Sequence, residues 1–229
     1  TFLLAMAAAA LGPENVLAAV GVSPSLAGRE LSDARRLAGQ LGVRLVEIET
    51  GEMDQPDYAA NTPDRCFHCK TVLLTRLNDL AEAENMVAVA TGANADDLDD
   101  YRPGLLAAER LGVVNPLMEA GLTKADLRRA SRALGLPTWD KPACACLASR
   151  IPYGRPITPE VLSRIDRAEE VLREAGFAGC RVRDHGDIAR IEVPPARIDD
   201  LAAARDRIVG PLKELGYTYI TADLQGYRT

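Results

Sequence analysis

The first two-thirds of the chain alternates helical and strand-like patterns of apolar side chains. Apolar residues recur every three or four positions in one set of segments, and they alternate or run together in a second, shorter set. The predicted helices are 1–11, 28–41, 70–83, 105–111 and 124–134, and the predicted strands are 16–20, 43–48 and 86–90. Thr123 and Asp126 have the spacing of a capping box before the last of these helices. Because strands separated by helices pair in parallel through right-handed crossovers, the pattern predicts an α/β fold with an open, mostly parallel sheet and helices on both faces.

A segment rich in proline and cysteine, residues 137–159, separates this pattern from a second one. We place a domain boundary near residues 154–158, which predicts domains at 1–154 and 155–229. Thr158 and Pro159 are an N-cap and a first-turn proline, and they predict a helix that ends near residue 175. Its apolar face comprises Leu162, Ile165, Ala168, Leu172 and Ala175. Predicted strands at 180–183, 188–193 and 217–221 and a helix at 198–208 complete a small α+β domain.

The composition is that of a folded, acidic protein. The 27 Lys and Arg residues against 33 Asp and Glu give a net charge of −6, which argues against a general nucleic-acid binder, because phosphate binding needs clustered cations. No apolar run approaches the ~20 residues that a membrane-spanning helix needs. The five cysteines are an odd and clustered set, which favours metal binding or sulfur chemistry in the cytoplasm over a secreted disulfide framework. We also expect a homo-oligomer.

Cys144 and Cys146 lie one residue apart in a segment too rich in proline for a regular helix or a central strand. One interpretation is packing, because cysteine outside disulfides is among the most buried residue types. The other is chemistry, in which the two sulfurs act as thiolate ligands or nucleophiles. Arg150 nearby would favour the thiolate form.

Cys66 and Cys69 have a spacing common in metal and redox sites, and they lie close to the start of a predicted helix. A zinc site would need two further ligands, which Cys144 and Cys146 could supply. A pair at the start of a helix with no metal is the simpler interpretation.

Arg181 and Arg183 point to the same face of a predicted strand, and Cys180 points to the other if the strand is regular. Paired guanidinium groups suit a phosphate or a carboxylate. A solvated edge-strand face is the alternative.

Gly92, Asn94 and Asp96 come after the predicted strand 86–90, where an open α/β sheet binds its ligand. Small residues allow a ligand close to the backbone, and the side chains of Asn94, Asp96 and Asp97 could orient a nucleotide or a cation. An ordinary acidic turn is the alternative.

Four segments together resemble the LarE family of ATP-dependent sacrificial sulfur transferases, in the PP-loop ATP pyrophosphatase superfamily. The segments are 63–70, 91–104, 115–117 with 121–124, and 136–154, and they come in the same order along the chain. The resemblance implies that ATP, with Mg²⁺, adenylylates a carboxylate of a pyridinium dicarboxylate mononucleotide, and that sulfur then displaces AMP. Two such insertions lead toward the nickel-pincer nucleotide cofactor. The chemistry is reasonable because a carboxylate needs a good leaving group and a thiolate is a strong nucleophile.

The resemblance also implies a role for individual residues. Some family members sacrifice one cysteine, which becomes dehydroalanine, whereas others are thought to hold a four-iron, four-sulfur cluster on three cysteines. Cys144, Cys146 and Cys180 match that triad, and three ligands would leave one iron open. Arg181 and Arg183 would bind the substrate phosphate. Ser149 and Arg150 would line the sulfur-transfer pocket, with Glu169 and Asp200 as nearby acidic candidates. Gly92, Asn94 and Asp96 remain the candidates for contact with the nucleotide.

One departure concerns the phosphate loop Ser-Gly-Gly-x-Asp-Ser that defines the superfamily, which the sequence lacks. Residues 1–4 resemble the start of the helix that this loop precedes in the superfamily, so we expect the loop and a first strand to lie before Thr1 in a longer protein. Its glycine amides would hold the pyrophosphate. Two other functions stay open at this point: another PP-loop enzyme, such as a tRNA thiolase or an amidating synthetase, and a non-catalytic module held together by zinc.

Overall fold

A computed structural model describes residues 1–98, 103–142 and 144–227, which form two compact units. The first unit comprises Thr1–Ser23 and Arg29–Lys141, and the second comprises Pro24–Gly28 and Pro142–Thr229. The division therefore lies at Pro142, whereas the sequence pattern placed a boundary near residues 154–158. The role assigned to each predicted domain stays a prediction. Among the described residues, no helix has both the length and the apolar character needed to cross a bilayer.

The first unit combines a short parallel sheet with helices. Strands β1 and β2 pair in parallel, with Leu17 opposite Arg44 and Val22 opposite Glu49. The α/β class is thus confirmed, and the predicted elements lie within a few residues of the observed ones, apart from the strand at 86–90. The elements are α1 (Phe2–Leu11), β1 (Leu17–Val22), α2 (Gly28–Gln40), β2 (Arg44–Glu49), α3 (Pro56–Ala59), α4 (Arg65–Ala83), α5 (Pro103–Arg110), α6 (Pro116–Glu119) and α7 (Lys124–Ala133).

The predicted strand at residues 86–90 is wrong in this structure. Within the described part of the chain, its pairing is confined to an isolated parallel bridge between Ala90 and Val114. Val114 N donates to Val89 O, and Thr91 N donates to Val114 O, each at 3.0 Å. Val87 is fully exposed, so one end of the segment has nothing packed on it. An apolar run becomes a strand only where a neighbour supplies a ladder, and here the ladder is one residue long. Within the described part of the first unit, the parallel sheet is therefore the pair β1 and β2, and the broad open sheet is not confirmed.

The capping box predicted before α7 is confirmed. Asp126 N donates to Thr123 Oγ1 at 3.2 Å, and Thr123 N donates to Asp126 Oδ2 at 3.1 Å. Two N–H groups that the helix leaves without intrahelical partners are satisfied in this way. The hydrogen bond from Thr123 and the nearby Arg129 guanidinium hold the pKa of Asp126 below its usual value, so the carboxylate form is favoured.

The second unit is a three-stranded mixed sheet with helices. The strand order is β3–β4–β5, in which β4 is antiparallel to β3 and parallel to β5. The predicted helix 198–208 is instead two helices, since the chain turns at Ala204. The elements are α8 (Pro159–Glu174), β3 (Arg181–Asp184), β4 (Ile188–Glu192), α9 (Ile198–Ala203), α10 (Arg205–Glu214) and β5 (Tyr219–Ala222).

Helix α8 forms the centre of the second unit. Thr158 Oγ1 accepts from Val161 N at 3.3 Å, which confirms the predicted start of the helix. Each buried Leu or Ile side chain contributes about 1.5–3 kcal/mol relative to an exposed one. Glu169 shares the buried surface of this helix and is directed into the interior. The residues predicted to form the apolar face are all buried: Leu162, Ile165, Ala168, Leu172 and Ala175.

Candidate active site

The alternation of side chains along β3 separates a thiol from two arginines. Cys180 and Val182 are buried, whereas Arg181 and Arg183 are half-buried on the other face of the strand. The predictions that the arginines share a face and that Cys180 faces the opposite way are both confirmed. The strand therefore directs its arginines and its thiol into different environments.

A buried ion pair joins Glu169 of α8 to Arg150. Arg150 Nε donates to Glu169 Oε1 at 2.8 Å and Nη2 donates to Oε2 at 3.3 Å, while both side chains are at most 2% exposed. Val182 N also donates to Glu169 Oε1, at 3.3 Å. Burial by itself would lower the pKa of Arg150, but the hydrogen bond and the charge of Glu169 outweigh it and raise that pKa above its usual value. Arg150 is therefore a fixed positive charge inside the unit.

Arg150 also holds the backbone of the cysteine segment. Its Nη1 donates to Ala145 O at 2.8 Å, to Cys146 O at 3.2 Å and to Ser149 Oγ at 3.0 Å. The sulfurs of Cys144 and Cys146 lie near enough to attract the guanidinium, and this attraction adds to the raised pKa of Arg150. One arginine thus anchors the segment that carries two of the three cysteines of the predicted triad.

The turn that follows Cys146 is also held in place by hydrogen bonds and packing. Leu147–Arg150 forms a short 3₁₀ turn in which Leu147 is buried, and Leu147 N donates to Ser25 O at 2.9 Å. The side chains of Cys144 and Cys146 remain exposed. A fixed backbone that carries exposed thiols suits a group that reacts with a bound molecule, so the packing interpretation of this pair is not supported.

Cys180 is placed differently from the other two members of the predicted triad. It belongs to the hydrophobic core, with Sγ 3.8 Å from Glu169 O. Among the described residues, no group of three or more His, Cys, Asp or Glu side chains could hold a metal ion. Three thiols on a shared cluster would have to face one cavity, and here one of them is packed in the core.

Arg183 is neutralised by a carboxylate of the next strand. Its Nε and Nη2 donate to Glu192 Oε1 and Oε2, each at 2.9 Å, in the two-pronged geometry that arginine and carboxylate favour. Its Nη1 donates to Ser149 O at 2.7 Å, so Arg183 supports the turn after the cysteines.

Arg181 has no carboxylate partner among the described residues. Its Nη2 donates to Tyr227 Oη at 2.6 Å, and its guanidinium carbon lies 4.3 Å from the centre of the Tyr227 ring. Burial lowers the pKa of Arg181 below its usual value, and the nearby charges of Arg150 and Arg183 lower it further. Because Arg150 and Arg183 are each paired with a glutamate, Arg181 is the cation of this group that can bind an added anion.

The other predicted site residues lie outside this group. Asp200 is exposed on α9, and its carboxylate accepts from Arg197 Nε at 2.5 Å, so the structure does not bring it to the Arg150–Glu169 pair. Cys66 is exposed and Cys69 is half-buried near the start of α4 in the first unit. No disulfide joins any of the five cysteines.

The predicted nucleotide-binding residues form a turn in the first unit. Asn94 Nδ2 donates to Asp97 Oδ2 at 3.1 Å, and Asp96 N donates to Asn94 Oδ1 at 3.1 Å. Asp96 Oδ2 accepts from Lys124 N at 2.8 Å, at the start of α7. Apart from Gly92 and its two chain neighbours, none of the described residues has an atom within 4 Å of the position that a Cβ at Gly92 would take, so the described chain leaves room there for an approaching molecule. The contact of these residues with a nucleotide stays a prediction.

Two residues of the site were missed by the sequence analysis. Glu192 could have been found from the pattern of charges. The predicted strands that carry Arg181 and Arg183 and that carry Arg190 and Glu192 are neighbours, so a pair of opposite charges can form across the sheet. Tyr227 comes after the last strand and carried no periodic signal. Its position depends on the turn before it.

Comparison with known proteins establishes the family. No family model matches the chain. It is 43% identical over 218 residues to an uncharacterised protein of Synechocystis sp. (strain PCC 6803), covering 94% of this chain and 81% of that protein. It is 39% identical over 229 residues to the pyridinium-3,5-bisthiocarboxylic acid mononucleotide synthase of Lactiplantibacillus plantarum, covering 100% of this chain and 83% of the synthase. An uncharacterised protein of Methanocaldococcus jannaschii is 31% identical over 172 residues, which is 74% of this chain and 66% of that protein. The chain therefore belongs to the LarE family, that of the pyridinium-3,5-bisthiocarboxylic acid mononucleotide synthase.

Proposed function

We propose that the protein is an enzyme that inserts sulfur into a pyridinium dicarboxylate mononucleotide, as a step of nickel-pincer nucleotide cofactor biosynthesis. The name of the Lactiplantibacillus relative describes a product with two thiocarboxylic acid groups on a pyridinium mononucleotide. The observation that carries the proposal for this chain is the Arg150 anchor, which fixes the backbone of two exposed cysteines. Arg181 lies close enough to Arg150 for their charges to interact, and it has no carboxylate partner among the described residues.

The first step activates the carboxylate. A carboxylate oxygen of the substrate attacks the α-phosphorus of ATP, the bond from that phosphorus to the bridging oxygen breaks, pyrophosphate leaves, and an acyl adenylate remains. The turn of Gly92, Asn94 and Asp96 is the proposed contact for the adenine nucleotide, and the open space at Gly92 supports that assignment.

The second step moves sulfur. The Sγ atom of Cys144 or Cys146 attacks the acyl carbon, a C–S bond forms, and the C–O bond to AMP breaks. Removal of the cysteine Cα proton then breaks the Cβ–S bond, which leaves dehydroalanine in the chain and a thiocarboxylate on the substrate. These bond changes together are redox-neutral and need no further reagent. Both the substrate phosphate and departing AMP are anions, which arginine side chains bind well.

The residues around the thiols have different parts in this step. Arg181, which lacks a carboxylate partner among the described residues, binds the substrate phosphate, with Arg183 beside it. Glu169 is fully buried and paired, so it positions Arg150 and does not exchange a proton with the substrate. Ser149 joins Arg150 and Arg183 through its hydroxyl and its carbonyl.

A four-iron, four-sulfur cluster on Cys144, Cys146 and Cys180 was the other sulfur source implied by the resemblance. The described residues do not fit it as they stand, because Cys180 is packed in the core and the three thiols form no metal-binding group. The proposal therefore takes the sulfur from a cysteine side chain. Anaerobic reconstitution with iron and sulfide tests this directly: a visible charge-transfer band that is lost in Cys180→Ala would overturn the choice.

The experiment that tests the function combines product analysis with peptide mapping. The protein is incubated with ATP, Mg²⁺ and a pyridinium dicarboxylate mononucleotide, and the thiocarboxylate, the pyrophosphate and any dehydroalanine peptide are measured by mass spectrometry. We expect a peptide that has lost one H₂S at Cys144 or Cys146, and no thiocarboxylate once that cysteine is replaced by alanine. Cys66→Ser and Cys69→Ser are matched controls and should retain product formation. Pyrophosphate release without any thiocarboxylate would refute the sulfur-transfer step.

Two expectations about partners also stay predictions. The protein is expected to form a homo-oligomer, which light scattering measures, and to show no tight, salt-sensitive binding of bulk tRNA in a filter assay.

A further inference from the structure

The segment after β5 places Tyr227 against Arg181. Asp223 N donates to Ile191 O at 2.8 Å, and Tyr227 N donates to Val193 O at 2.8 Å, so this segment runs beside the end of β4. Strand β3, which carries Arg181, lies on the other side of β4. The backbone of Tyr227 is thus hydrogen-bonded to the sheet that carries its partner.

The turn before Tyr227 admits only glycine. Gly226 is buried and has φ of +68°, a conformation that L side chains rarely adopt. A Cβ at this position would lie 2.8 Å from Val193 O. That oxygen accepts the Tyr227 N–H, so it cannot move away without releasing Tyr227. The backbone conformation at Gly226 and the hydrogen bond to Val193 O therefore fix the position of Tyr227.

Tyr227 contacts Arg181 in two ways and leaves most of the N–H donors of Arg181 available. The hydroxyl accepts from Nη2 at 2.6 Å, and the guanidinium carbon lies 4.3 Å from the ring centre. A guanidinium carries five N–H donors, and among the described residues the hydroxyl of Tyr227 is the hydrogen-bond acceptor for this one. The ring restricts the plane of Arg181, and the free edge of that plane can still bind an anion.

We propose that Tyr227 is a positioning residue of the substrate-phosphate site, which holds Arg181 in the orientation that presents its remaining N–H groups to the phosphate of a mononucleotide. The inference rests on the proposed function, because it takes the ligand to be a mononucleotide bound through Arg181. An arginine that is fixed in advance loses less side-chain freedom when the phosphate binds. The opposite role, in which the hydroxyl occupies the phosphate position and must leave, is disfavoured by the backbone bonds that fix Tyr227.

The test is a calorimetric titration with two ligands that differ only in the phosphate: a pyridine-carboxylate ribonucleoside 5′-phosphate and the same riboside without phosphate. Tyr227→Phe keeps the ring and removes the hydroxyl, and it should weaken nucleotide binding about fivefold. Tyr227→Ala removes both contacts and should weaken it about tenfold or more. Riboside binding should not change. Tyr219→Phe is the matched control, because Tyr219 is exposed on β5, and it should bind both ligands like the unaltered protein.

Single-turnover kinetics separates positioning from a structural defect, because the donor cysteine reacts once. The two Tyr227 variants should raise the mononucleotide concentration that gives half the maximal single-turnover rate and leave the maximal rate unchanged, because Arg181 holds the phosphate and does not contact the reacting carbon. Unchanged nucleotide binding in both variants, or tighter binding by Tyr227→Phe, overturns the inference while the proposed function stands. If the unaltered protein binds the nucleotide no more tightly than the riboside, the phosphate site itself is wrong, and the inference falls with it.

Discussion

Replacing Glu169 by glutamine tests whether the buried ion pair holds the second unit and the cysteine segment together. Glutamine keeps the shape of the side chain but removes the charge that compensates Arg150, whose guanidinium remains inside the unit. Breaking a buried pair by removal of one partner costs about 3–5 kcal/mol. Glutamine can still accept one hydrogen bond, so we expect about 3 kcal/mol.

The measurement is the thermal transition of the second unit, followed by calorimetry. The unit has about 90 residues, and for that size ~3 kcal/mol corresponds to a fall in Tm of roughly 10–25 °C. Glu170→Gln is the matched control, because the neighbouring carboxylate is 55% exposed, although its partner Arg173 is only 14% exposed. Such a pair contributes about 0–1 kcal/mol. If Glu169→Gln melts within a few degrees of Glu170→Gln, the buried pair does not have the structural role assigned to it.

A double variant separates the stability of the unit from its function. Replacing a buried ion pair by apolar side chains of similar volume is often neutral or stabilising. Arg150→Met combined with Glu169→Leu should therefore recover most of the stability lost in Glu169→Gln. It also removes the hydrogen bonds to Ala145 O and Cys146 O, so sulfur transfer should be lost even though the unit is stable. A stable double variant with full activity would show that the anchor is dispensable.

Two further predictions concern pH and helix capping. Burial lowers the pKa of His185, and Arg190 and Arg155 lower it further, so the folded state binds this proton less readily than the unfolded state does. Stability from this source is present above the unfolded pKa of about 6.5 and is lost as pH falls toward the lower folded pKa, so the urea midpoint should fall from pH ~7.5 to ~5.5, and less so in His185→Gln. Thr123→Ala removes the capping box of α7 and should lower the free energy of unfolding by about 1 kcal/mol in a urea titration, and an unchanged midpoint would contradict the cap.

The sequence predicted well those elements whose signal is local. The apolar face of α8 and the capping box of α7 depend on residues a few positions apart, and both are present. The strand predicted at 86–90 was wrong because an apolar run indicates only a tendency to be buried, whereas a strand also needs a neighbouring strand to which it can hydrogen-bond. Among the described residues, its strand-like pairing is limited to the bridge from Ala90 to Val114. Pairing between distant segments is not encoded in local periodicity.

Only part of the site could be predicted from the sequence, for a similar reason. The cysteines and arginines were found from their residue types and spacing, but the way their charges are balanced was not. Glu169 had a signal in its position, since it lies four residues after Ile165 and three before Leu172, on the buried stripe of α8. A carboxylate on such a stripe must have a buried cation as its partner, because an isolated charge there would be too costly. Arg150, Arg155 and Arg173 are all candidates for that partner in the same unit, so helical periodicity together with charge pairing indicates that Glu169 has a cationic partner but does not single out Arg150.

The charge balance also explains which arginine remains for the substrate. Each guanidinium that is paired with a glutamate has lost most of its attraction for an added anion, since the carboxylate already occupies its donors. Glu169 and Glu192 pair with Arg150 and Arg183, and these two cations also bind backbone oxygens of the cysteine segment and its turn. They act on the position of the sulfurs, whereas Arg181 is paired with a neutral tyrosine. A phosphate should therefore bind most strongly at Arg181. Arg181→Gln should weaken phosphate binding more than Arg183→Gln, which should mainly disturb the turn at Ser149.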